Sequence, residues 1–89
     1  METLFPLGRT VITPAAKDSL HPQDVQTCPG RHAKGDWGEL CEQDKGENAA
    51  ALANGGRLFS VYHDRAAVKF FILTESDRSA TTILLPEEY

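Results

Sequence analysis

Two clusters of side chains have the types and spacing for chemistry. In RHAKGDWGE, His32 and Asp36 lie four apart beside Trp37. A carboxylate next to an imidazole is what a general base needs to fix its tautomer. The structural alternative has His32 bonded to a loop carbonyl and Asp36 folding an Asx turn into Trp37. In TESDRSAT, Glu75 and Asp77 are two apart and precede Arg78. Such a pair could share a hard cation such as magnesium while the Arg78 fork grips a phosphate or carboxylate. Together His32, Asp36, Glu75, Asp77 and Arg78 would make a small hydrolase or metal-dependent phosphoesterase. The same composition also suits a turn in which Asp77 and the hydroxyls cap local amides and Arg78 pairs with Asp77, Glu75 or another surface carboxylate. The balance favours the turn, and no catalytic residue is assigned.

Cys28, His32 and Cys41, with His21 or His63 as a fourth ligand, are residue types that zinc accepts. No C-x-x-C knuckle is present and Pro29–Gly30 intervenes, so the expectation is two free thiols, no metal and no cofactor. The aromatic residues Phe59, Tyr62, Phe70 and Phe71 lack the interleaved Lys and Arg of a base-stacking surface and read as core.

These residues are positioned by elements legible in the pattern. Leu4 to Thr13 reads as a first strand. Thr13 and Pro14 open a short helix carrying Ala15, Ala16 and Leu20, and His21 and Pro22 open a second that Pro29 and Gly30 should break. Arg31 to Glu39 is expected as a compact loop pinned by Trp37. Asp44 caps the clearest helix, which runs to Asn54 and offers Leu52 and some of Ala49, Ala50 and Ala53 to a sheet. From Leu58 the period becomes two: strands at Leu58–His63, Val68–Leu73 and Thr81–Leu85, with Pro86 ending the last. The fold class that follows is α+β: a three- to four-stranded antiparallel meander sheet, the first strand added at an edge, with two or three short helices on one face. Val68, Phe70 and Ile72 would lie under the helices, leaving Phe71 and Leu73 to face solvent or a partner.

The chain of 89 residues reads as a single domain, 1–89, and buries only about 60–65% of its unfolded surface. Nine basic residues, scattered singly, against thirteen acidic ones give a net charge of -4, so direct nucleic-acid binding is not expected. The acidic residues are equally dispersed, which disfavours a DNA mimic. METLFPLGRT has neither the basic start nor the apolar run of a secretory leader, and no stretch is long enough for a membrane span, so a cytoplasmic location is expected.

The GDWG loop of Gly35 to Gly38, the SVY of Ser60 to Tyr62 and the ending TESDRSATTILLPEEY resemble a family of small, uncharacterised bacterial proteins associated with plasmids and other mobile elements. The resemblance runs from about His32 onward. Some of its members carry a name suggesting a type I restriction-modification subunit. This chain lacks the Gly-rich cofactor loop and the catalytic motif of such a methyltransferase. What the resemblance implies is a mobile-element protein with no established activity. The resulting expectation is a non-catalytic protein-interaction or regulatory module that binds a protein partner or itself, with Trp37, Phe71, Leu73, Asp77 and Arg78 as its binding residues.

Overall fold

The computed structural model describes residues 3–89; the first two residues of the METLFPLGRT stretch lie outside them. The elements are β1 (Arg9–Ile12), α1 (Pro14–Ser19), α2 (Pro22–Ala33), α3 (Glu42–Asn54), β2 (Leu58–His63), β3 (Lys69–Thr74), β4 (Ala80–Leu84) and a final 3-10 turn, Pro86–Glu88. The fold is α+β, and the four-stranded sheet is mixed rather than purely antiparallel. Its order is β1-β4-β3-β2, with β2, β3 and β4 an antiparallel meander and β1 added parallel to β4 at the edge. The parallel pairing has a direct cause: α1 and α2 open a long excursion that lets the chain reach β2, β3 and β4 before returning beside β1.

Local chemistry sets the starts of α1 and α2. Thr13 accepts from the Ala16 amide, His21 Nδ1 accepts from the Gln23 amide, and each is followed by a proline whose missing N–H is harmless in a first turn. Pro29 and Gly30 do not end α2. Its buried face of Cys28, Pro29, His32 and Ala33 packs on the sheet, and that burial outweighs the one backbone bond that proline removes. β1 is also shorter than the pattern from Leu4 suggests. Gly8 takes a positive φ of 65° where the chain passes against the Arg78 and Ser79 carbonyls, and pairing starts only after it.

The helix-side layer holds two packed clusters. Ala16, Leu20 and Cys28 meet Tyr62, Phe70, Ile72 and Ile83 in the larger, while Phe5, Ala51 and Leu58 form the smaller with Trp37 against them. α1 and α2 cover the sheet face, but α3 runs along the free edge of β2. Asn48 is the reason: its side chain donates to the Phe59 carbonyl (2.8 Å) and accepts from the Phe59 amide (3.2 Å), replacing a missing neighbour strand. Ala49, Ala50 and Ala53 are consequently exposed, and Ala51 makes the close approach instead. The cap of α3 is Cys41 rather than Asp44, which lies in the first turn.

Candidate functional site

His32 is fully buried, with the Phe5 and Trp37 rings in edge contact with its imidazole at 5.2 and 5.6 Å. Its Nδ1 meets Ser60 Oγ at 2.5 Å and its Nε2 meets Thr74 Oγ1 at 2.9 Å. Thr74 Oγ1 is in turn 2.8 Å from Thr81 Oγ1, which donates to the Leu7 carbonyl at 2.7 Å. The carbonyl can only accept, and this fixes every proton in the row. Thr81 donates to Leu7, Thr74 to Thr81, His32 Nε2–H to Thr74, and the Ser60 hydroxyl to Nδ1. The imidazole is therefore the neutral Nε2–H tautomer, and burial pushes its pKa from 6.5 down to about 4.

A serine donating to a histidine is the first half of a nucleophilic dyad. Here Ser60, His32, Thr74 and Thr81 are all fully buried, so the row joins α2 to three strands and to the chain before β1 rather than facing a substrate. The candidate His32–Asp36 pair does not form, and His32 meets hydroxyls rather than a loop carbonyl, while Asp36 does make the Asx turn. Asp36 is exposed; it accepts from Arg31 Nε at 2.7 Å and from the Gly38 amide at 3.2 Å, and the Arg31 guanidinium holds its carboxyl below the usual range. Zinc at Cys28, His32 and Cys41 is not supported either. Cys28 is buried, with burial pushing its thiol up, Cys41 is exposed, and no cluster of metal ligands occurs among the described residues.

The Glu75–Arg78 turn is occupied by its own structure. Asp77 accepts from the Ser79 amide at 3.0 Å and Glu75 pairs with Arg57 at 3.4 Å. Arg78, at φ 62°, pairs with no carboxylate among the described residues. Its guanidinium donates to the carbonyls of Ala51 (3.0 Å), Gly56 (2.5 Å), Glu75 (3.1 Å) and Ser76 (3.1 Å), and lies over the Phe5 ring. It is a cation fixed at the C-terminal end of α3, where the helix dipole favours positive charge. His32 and Arg78 thus both lie against the Phe5 ring.

Trp37 is half-buried and stacks on Phe5 at 6.1 Å, so its ring belongs to the core. Its backbone has a second task. Val61 donates to the Trp37 carbonyl and Glu39 donates to the Val61 carbonyl, closing more of the β2 edge. Gly38 permits this at φ 69°, since a Cβ there would overlap the Val61 carbonyl and the Tyr62 ring.

The helix-free sheet face carries Phe59, Val61 and Phe71, all half-buried, beside Leu84. Leu73 is buried on this face rather than open to solvent. Phe59 and Phe71 lie 4.8 Å apart, and Tyr89, 68% exposed, leans on both at 5.2 and 5.8 Å. Next to them a cleft of about 300 Å³ opens between α3 and the sheet, lined by Asp44, Glu47, Arg57, Phe59, Leu73 and Tyr89. Ser60, Thr74 and Thr81 of the buried row are not among the site residues singled out from the sequence. Their signal was available in the period of two, which places Ser60, Thr74 and Thr81 on the core side of strands whose other inward residues are apolar. Compared with known proteins, the chain matches no protein-family model, no curated protein and no solved structure.

Proposed function

We propose that this chain is a non-catalytic protein-interaction module that binds a protein partner across its helix-free sheet face, centred on Phe71. The observation that carries the reading is that Phe59, Val61 and Phe71, all half-buried, form a continuous apolar strip whose two aromatic rings meet the largely exposed Tyr89 ring. Apolar surface of this kind, with an aromatic at its centre and charged groups at its rim, is what protein partners bury. Here the rim is Lys69, Arg57 and the carboxylates of Asp44 and Glu47. The side chains that would carry acid-base chemistry are each engaged in holding the fold, which fits a binding role. The resemblance of the GDWG loop and the TESDRSATTILLPEEY ending is what suggests a mobile-element setting.

The test is a pull-down from native-host lysate with the tagged chain, repeated with Phe71→Asp and Asp77→Ala. Retention of a specific partner by wild type and Asp77→Ala, with loss in a folded Phe71→Asp, is the expected pattern. A partner held equally by Phe71→Asp would move the binding surface elsewhere.

A further inference from the structure

The two edges of the sheet are treated differently. On β2 the outward-facing backbone groups of Phe59 are taken by Asn48, and those of Val61 by Trp37 and Glu39. On β1 the Arg9 amide donates to Ser79 and the Thr13 amide to Ile83, so in this parallel ladder Arg9, Val11 and Thr13 point their backbone groups inward. Thr10 and Ile12 therefore direct theirs away from the sheet, and among the described residues nothing pairs with them. The strand is RTVI: it is short, at four residues, but it has no charge at its centre, no proline and no bulge to keep the edge from pairing.

We infer that β1 is a self-association edge, on which a second copy of this chain pairs its own β1 antiparallel about a two-fold axis at Val11. In that register Thr10 of one copy exchanges backbone bonds with Ile12 of the other, twice over, and the two Val11 side chains meet at the axis. Two features of the surface fit this occupant. On the helix side, the Ile12 that arrives opposite Thr10 lies beside an apolar cleft of about 290 Å³ lined by Ile12, Pro22, Val25 and the stem of Lys17, which the second copy would cover. On the other side, the register sets Arg9 of one copy opposite Thr13 of the other. Thr13 donates to Glu88 Oε1 at 2.7 Å, so an exposed carboxylate is already in place where the incoming guanidinium arrives. Arg9 has no carboxylate partner of its own among the described residues. Each end of the paired strands then gains an Arg9–Glu88 contact, while the two Arg9 side chains stay about 13 Å apart, beyond the screening length at physiological salt.

This surface is distinct from the Phe71 face, and the two can fail separately. The test is sedimentation equilibrium of the full chain over a range of concentrations, where wild type is expected to approach twice the 9.8 kDa monomer mass. Thr10→Pro removes an outward N–H that the β1–β4 ladder does not use, so it should abolish dimer while circular dichroism and melting temperature stay unchanged. Arg9→Glu and Glu88→Lys each place like charges at both ends and should be monomeric alone. Mixed together they restore opposite charges at both ends and should form a heterodimer. Phe71→Asp should leave the dimer intact. A wild type that stays monomeric at every concentration overturns the inference, as does a dimer that survives Thr10→Pro, or an Arg9→Glu and Glu88→Lys mixture no more associated than its components.

Discussion

Acidification from pH 6.5 to 4 should destabilise this protein through one side chain, His32. Its imidazole accepts from Ser60 and donates to Thr74 in a site without solvent contact, and burial lowers its pKa from 6.5 to about 4. Above 6.5 the ring is neutral in both folded and unfolded states and its contribution is complete. As the pH falls, the unfolded chain takes up a proton that the folded chain refuses until about 4, so stability is lost across that window. The loss totals about 3 kcal/mol, a large share of the roughly 5–10 kcal/mol expected for a domain of this size. Protonation also reverses the row: Nδ1 becomes a donor, and the Ser60 hydroxyl must find another acceptor. The lowered carboxyls of Asp24, beside Arg65, of Asp36, beside Arg31, of Asp64, bonded to the Val68 and His21 amides, and of Asp77, bonded to Ser79, contribute above their ordinary 3.8 and lose that contribution only at lower pH. Urea unfolding at steps between pH 7 and 4.5 should therefore show the fall in wild type, and His32→Gln, destabilised at pH 7, should flatten it. An NMR titration of the ring gives the same answer without a variant. An imidazole that protonates near 6.5 in the folded chain, or a wild-type stability flat over this range, would refute the burial argument.

Three other outcomes follow from single side chains. Arg78→Ala removes the guanidinium from the Ala51, Gly56, Glu75 and Ser76 carbonyls and should cost roughly 2–4 kcal/mol in urea unfolding; Lys at the same position, with a point charge instead of a fork, should recover only part of it. Asn48→Ala leaves the amide and carbonyl of Phe59 without partners, at about 2 kcal/mol, and should speed hydrogen exchange at the Phe59 amide before any change elsewhere in the sheet. Gly38→Ala puts a Cβ against the Val61 carbonyl at a positive φ and should lower stability by more than about 2 kcal/mol; an unchanged melting temperature would show that the bridge to β2 is dispensable.

Local signals carried much of the architecture. The period of two from Leu58 onward located β2, β3 and β4 to within a residue, because a strand with one buried face must alternate. Thr13–Pro14 and His21–Pro22 located the starts of α1 and α2, because a cap acts within three residues of itself. Tertiary contacts decided the rest. Whether Pro29 ends α2 depends on what its neighbours bury, and whether β1 pairs parallel depends on a partner seventy residues away in the chain. The candidate site shows the same division. The sequence determined which residues could do chemistry: His32, Asp36, Glu75, Asp77 and Arg78 all have the required groups. Only the tertiary structure decided that Ser60 and Thr74 occupy both nitrogens of His32, that carbonyls take up the Arg78 fork, and that Arg31 holds Asp36. The physical reason is that a polar group's role is set by the partner it meets and by its access to water, and both come from residues distant in the chain.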